Sequence, residues 1–172
     1  MKDIIETILV VDDEIDILDS LSIVIDAMNG MRAKDNRREL QYVAFSNVDD
    51  SCEWVRSCSD PFLSILDHDL GDSAGRTGLF ISECIRREHS LGLLLPIMYY
   101  SGRYNSAAFI DERISHGDMS PTFFLEKGRS GTQGHIEKAL EDFDQKWALA
   151  LTQSSQQALM TLRIQEERDE FE

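Results

Sequence analysis

Five short apolar runs, separated by helical stripes and polar loops, constrain the fold of this chain more than any other feature. The runs are Ile8–Val11, Leu40–Phe45, Phe62–Leu66, Leu93–Tyr100 and Thr122–Glu126. Between the first two, Glu14–Met28 carries apolar residues at 15, 17, 18, 21, 24, 25 and 28, a helical stripe that Asn29-Gly30 is expected to end. Asp49–Ser57, Leu79–Glu88 and Asn105–Ile114 read as further helices, and Gly71–Gly78 and Ser115–Pro121 as loops. From Thr132 onward there is no Pro, and no Gly after Gly134, which predicts a long C-terminal helix. This alternation predicts an α/β fold, a doubly wound five-stranded parallel sheet with right-handed crossovers and an extended C-terminal helix. Residues 1–145 are expected to form one domain and 146–172 a helical extension or tail.

The strand ends carry the chemistry. Asp12-Asp13 follow the first run, Asp67 the third, Ser101 the fourth and Lys127 the fifth. Ligands of open parallel sheets bind beyond the carboxyl ends of the strands. Three carboxylates, a hydroxyl and an ammonium would therefore meet on one rim, a set able to hold a divalent cation and act on a phosphoryl group. Close carboxylates repel, and a cation among them relieves the repulsion.

With 172 residues the chain is one ordinary domain, and its net charge of -15 argues against nucleic acid and anionic membrane as partners. No apolar stretch has membrane length and no leader pattern opens the chain. Cys52, Cys58 and Cys84 show no metal-type spacing. Buried or half-buried thiols in a reducing cytoplasm are the expectation.

These residues resemble the receiver domain of two-component response regulators, with its CheY-like, flavodoxin-like fold, over about residues 7–145. The resemblance rests on Val10-Val-Asp-Asp-Glu14, Leu66-Asp-His-Asp-Leu70, Tyr100-Ser-Gly102 and Leu125-Glu-Lys127. It implies that Asp67 accepts a phosphoryl group from a histidine kinase or phosphotransfer protein, as a carboxylate nucleophile. It implies Mg²⁺ as cofactor, ligated by Asp13 and Asp67, reached through water by Asp12, and met by the backbone carbonyl of Asp69. Lys127 would pair with a phosphoryl oxygen. Ser101 would move to the phosphoryl group while Phe124 turns inward, and protein contacts would carry the signal to a downstream partner. Activity would be limited to self-phosphorylation and self-dephosphorylation. Gly128 and Gly71 stand where the family has Pro, and the loop after Asp67 is longer by residues such as Ser73-Ala-Gly-Arg76.

Two other classes compete. Asp67-x-Asp69 also resembles the nucleophile motif of haloacid-dehalogenase-type phosphatases, but there the acid pair comes last in the chain, not first. A receiver-like scaffold that binds partners without phosphorylation is the other. His68 should point away from the acids by strand alternation, while His89, His116 and His135 should be exposed. Arg32, Lys34, Arg37 and Arg38 read as a solvated loop, and Trp54 and Trp147 as core or interface. The tail is either a coiled-coil helix that supports a homodimer or a frayed acidic end. The chain is either a stand-alone receiver or the N-terminal part of a longer protein.

Overall fold

The computed structural model describes residues 4–102, 122–127 and 131–145. The expected helix Asn105–Ile114, the loop Ser115–Pro121, the turn at Gly128, and the tail 146–172 with its dimer seam lie outside the described residues, as do His116 and Trp147.

Five parallel strands form one sheet: β1 (Thr7–Val11), β2 (Gln41–Phe45), β3 (Phe62–Leu66), β4 (Ile97–Ser101) and β5 (Thr122–Glu126), in the spatial order β2-β1-β3-β4-β5. Among the described residues the helices are α1 (Ile15–Lys34), α2 (Val48–Ser57), α3 (Gly78–Glu88) and a helix over 132–145. This is the expected doubly wound α/β sheet. The chain steps from β1 out to β2, then crosses back over β1 to β3, so right-handed connections put α1 and α2 on opposite faces. α2 packs on α3. The helix over 132–145 lies beside α1, where Glu137 meets Arg37 at 3.5 Å and Arg32 at 4.0 Å.

Because helices cover both faces, the central strands are apolar on both sides. Ile8, Leu9, Val10 and Val11 of β1 and Phe62, Leu63, Ile65 and Leu66 of β3 are all buried. Each such side chain contributes roughly 1.5–3 kcal/mol by leaving water. Trp54 of α2 packs between Phe45 and Phe62, at ring-centroid distances of 6.4 and 5.1 Å. Cys52 and Cys84 are buried and Cys58 is half-buried, all as free thiols.

Four local expectations need correction. α1 does not stop at Asn29-Gly30. The Asn29 amide is engaged instead by the backbone of Leu40, accepting its N–H at 2.7 Å and donating to its carbonyl at 3.0 Å. The helix runs on to Lys34 and closes where Asn36 takes a left-handed φ of 55°, a conformation Asn tolerates. Arg32 is consequently not in a solvated loop: it is buried, with Nε donating to the Arg38 carbonyl at 2.8 Å. The run Leu93–Tyr100 is split, since a turn closed by Leu94 N–H on the Leu91 carbonyl (2.8 Å) precedes Pro96 and leaves Leu93 exposed. His89 is buried rather than exposed, edge-on to Phe62 at 5.3 Å.

Candidate functional site

Sheet register builds the site. Val11 pairs with Leu66, so the residues just beyond them, Asp12 and Asp67, emerge side by side. Asp67 N–H donates to the Val11 carbonyl at 2.8 Å and Asp12 N–H to the Phe45 carbonyl at 3.2 Å, which fixes both backbones. Across β4 and β5, Ser101 pairs with Glu126, and Lys127 N–H donates to the Ser101 carbonyl at 3.1 Å. β1 and β3 flank the point where the winding reverses, where open sheets bind ligands.

The side chains converge on Lys127. Its Nζ lies 2.8 Å from Asp12 Oδ2, 3.0 Å from Asp67 Oδ2 and 3.1 Å from Glu14 Oε1. Asp12, Asp67 and Ser101 are buried, while Asp13 and Asp69 are exposed. Oxygens of Asp12, Asp13 and Asp67 all lie within 4.8 Å of one another. A cleft of about 550 Å³ opens above them, lined by Asp13, Glu14, Asp67, Asp69, Gly71, Ser101, Gly102 and Lys127. All the expected site residues except Phe124 thus meet at or beside this cleft. Phe124 stands on β5 in register with Tyr99 and is half-buried against the core.

Burial pushes the Asp12 and Asp67 carboxyls above the usual carboxylate range, and the hydrogen bond from Lys127 offsets only part of this. Backbone N–H groups of Asp69 and His68 also favour the Asp67 carboxylate. Burial alone would lower the Lys127 ammonium, but Asp12, Asp67 and Glu14 outweigh it and hold it above its ordinary value. Four carboxylates, with Asp13, therefore surround one ammonium. The donor set is all oxygen and its charge is not balanced by Lys127. That composition fits a hard divalent cation such as Mg²⁺ and suits no thiophilic metal.

Two glycines shape the rim. At Gly71 (φ 57°) a Cβ would lie 2.7 Å from Asp13 Oδ2, and at Gly78 a Cβ would lie 2.2 Å from the Asp67 carbonyl oxygen. The loop after Asp67 and the start of α3 therefore touch the acids directly. His68 is buried.

Sequence reading missed two parts. Glu14 was visible only as the residue after Asp13, and its contact with Lys127 spans the sheet. The longer loop holds Arg76 against Asp72 and against Asp49 of α2. The Arg76 guanidinium brings the Asp72 carboxyl down to about 2. An i,i+4 Asp/Arg pair hinted at half of this, but the contact to α2 is tertiary.

No protein-family model matches the chain, and no curated protein matches it. Solved structures do. A CheY-like receiver domain protein from Methanospirillum hungatei is 17% identical, with 84% of this chain covering 98% of that one at a TM-score of 0.58. The N-terminal domain of a response regulator/sensory box/GGDEF three-domain protein from Carboxydothermus hydrogenoformans is 16% identical, with 84% and 98% covered at a TM-score of 0.60. This chain has the receiver-domain fold. NtrX from Brucella abortus is 25% identical over 84% of this chain and 29% of its own, at a TM-score of 0.58. Within the receiver fold, the cleft lies at the sheet's carboxyl edge. No described helix is long and apolar enough to cross a membrane.

Proposed function

We propose that this receiver is a phospho-acceptor switch in a two-component system. Asp67 would take a phosphoryl group in a Mg²⁺-dependent reaction, and protein–protein contacts would pass on the change. The observation that carries the reading is the seating of Lys127, 3.0 Å from Asp67 in an acidic cleft that one ammonium does not neutralise.

Phosphoryl transfer demands positioning and charge neutralisation more than covalent ingenuity. An Asp67 carboxylate oxygen would attack phosphorus in line. The bond to the leaving group, a histidine nitrogen of a kinase or phosphotransfer protein, would break as its electron pair returns to that nitrogen. Lys127 would exchange part of its carboxylate contact for a phosphoryl oxygen. Ser101, at the end of β4, would donate its hydroxyl to another. A cation held by Asp12, Asp13 and Asp67, with the Asp69 carbonyl, would supply neutralisation between the carboxylates and the incoming phosphate. Losing one such contact would cost on the order of 3 kcal/mol in the barrier.

Output would begin at Ser101 and Phe124. β5 ends the strand order β2-β1-β3-β4-β5, so Phe124 sits where repacking disturbs the sheet least. Its ring has no hydroxyl, so the response is one of packing: phosphorylation shifts a population between two packings. The signal would go to a downstream protein in the cytoplasm, with a homodimer through the tail as a further element.

Intact mass after incubation with acetyl phosphate or phosphoramidate and Mg²⁺ tests this. A single phosphoryl adduct is expected in the wild type, absent in Asp67→Asn and lost with chelator. No adduct on the folded protein would favour a phosphorylation-independent scaffold. Release of inorganic phosphate without an adduct would revive the phosphatase class.

A further inference from the structure

We propose that Arg76 is a positioning residue for the acidic cleft, strapping the loop between β3 and α3 to α2 so that the rim stays against Asp13. The inference rests on the reading of the cleft as a Mg²⁺ site.

One guanidinium grips two carboxylates. Arg76 Nη1 and Nη2 donate to the two oxygens of Asp49 at 2.5 and 3.1 Å, and Nε and Nη2 to the two oxygens of Asp72 at 3.1 and 2.9 Å. The Asp72 carboxylate also accepts the backbone N–H groups of Ala74 at 3.0 Å and Arg76 at 3.1 Å. Gly75 N–H donates to the Asp72 carbonyl at 2.9 Å. The guanidinium lies 5.6 Å over the Phe80 ring. An ordinary surface ion pair contributes little. A planar fork shared bidentately by two partners fixes direction as well as distance.

The segment that Arg76 holds is the one that reaches the acids. Asp69 and Gly71 line the cleft. Gly71 rests on the Asp13 carboxylate so closely that a Cβ would come within 2.7 Å of it. Gly78 closes the other end against the Asp67 carbonyl. Between these anchors, Ser73, Ala74 and Gly75 are exposed and bury nothing that would hold them. Arg76 ties this exposed span to a helix. Without it, the loop bearing Asp69 and Gly71 loses its external brace, and Asp13 loses the surface that orients it. Groups that orient ligands from outside typically change metal affinity 10–100-fold.

Calorimetric Mg²⁺ affinity and amide exchange over residues 69–77 test this on the full chain. Arg76→Ala is expected to weaken Mg²⁺ binding about tenfold and to speed exchange in the loop. Removing a cation near an acidic site would by charge alone tighten Mg²⁺, so weakening has the sign that positioning requires. Arg76→Lys should not restore affinity, because an ammonium cannot grip two carboxylates by pairs. Asp49→Asn should weaken binding in the same direction. Asp50→Asn, the same charge lost from the same helical turn, should leave the loop's exchange unchanged. Wild-type affinity and exchange in a folded Arg76→Ala would overturn the strap while the cleft reading stands. No Mg²⁺ binding by the wild type would overturn the cleft reading and this inference with it.

Discussion

Burial works against the charge on Asp12 and Asp67, and Lys127 offsets only part of that cost. A carboxyl raised in the folded state holds its proton to higher pH than in the unfolded chain. Metal-free stability should therefore be gained as pH falls through the folded value toward 3.8, the ordinary value. For the same reason Asp67→Asn, which removes the proposed acceptor, should raise metal-free stability at neutral pH by about 0.5–2 kcal/mol, seen as a higher urea midpoint at unchanged slope. An unchanged or lower midpoint would show that Lys127 neutralises the site more fully than the geometry indicates. His89 works in the opposite sense. Burial lowers its imidazole below 6.5 against the pull of Asp60. The unfolded chain then binds the proton more readily, and stability is lost as pH falls from about 6.5 through the folded value. His89→Gln should flatten that decline in urea titrations at stepped pH.

Among the elements, α3 bears most directly on Asp67. Its first residue, Gly78, stands against the Asp67 carbonyl with no room for a methyl group. Gly78 N–H also donates to the His68 carbonyl at 3.1 Å. The atom that a Cβ would strike belongs to backbone, so it cannot rotate away. Gly78→Ala should destabilise by roughly 1–3 kcal/mol and displace Asp67, so thermal melting and the phosphoryl adduct should both suffer. A full adduct at a lowered melting temperature would separate stability from site geometry. α1 shows the opposite relation between motif and element. Asn29-Gly30 looks like a stop, and Gly within a helix costs about 1 kcal/mol. Here Asn29 is bound to Leu40, and Arg32, one turn on, is buried beside Glu137. Tertiary contacts outweigh the local preference.

For the whole molecule, the cleft concentrates negative charge in a chain already at -15. A divalent cation that binds the folded state alone stabilises it by about 2.7 kcal/mol at one hundred times its dissociation constant. Mg²⁺ should accordingly raise the melting temperature of the wild type, and much less that of Asp13→Asn or Asp67→Asn. An equal shift in all three would mean that screening of the general charge, not the cleft, is responsible.

The amino-acid order by itself determined the layered α/β architecture, because both-face burial leaves continuous apolar runs and helices leave stripes. β3 and β5 were legible to the residue, as was the convergence of Asp12, Asp13, Asp67, Ser101 and Lys127, since chain direction in a parallel sheet sends every strand end to one rim. Other features arose only in three dimensions. Glu14 reaches Lys127 across 113 residues of sequence, Arg76 reaches α2, and Arg32 and His89 are buried by elements distant in the chain. Periodicity reports which face of one element is apolar. It carries no information about which distant element covers that face, and that pairing decides whether a charged side chain ends in water, in a core or on a carboxylate.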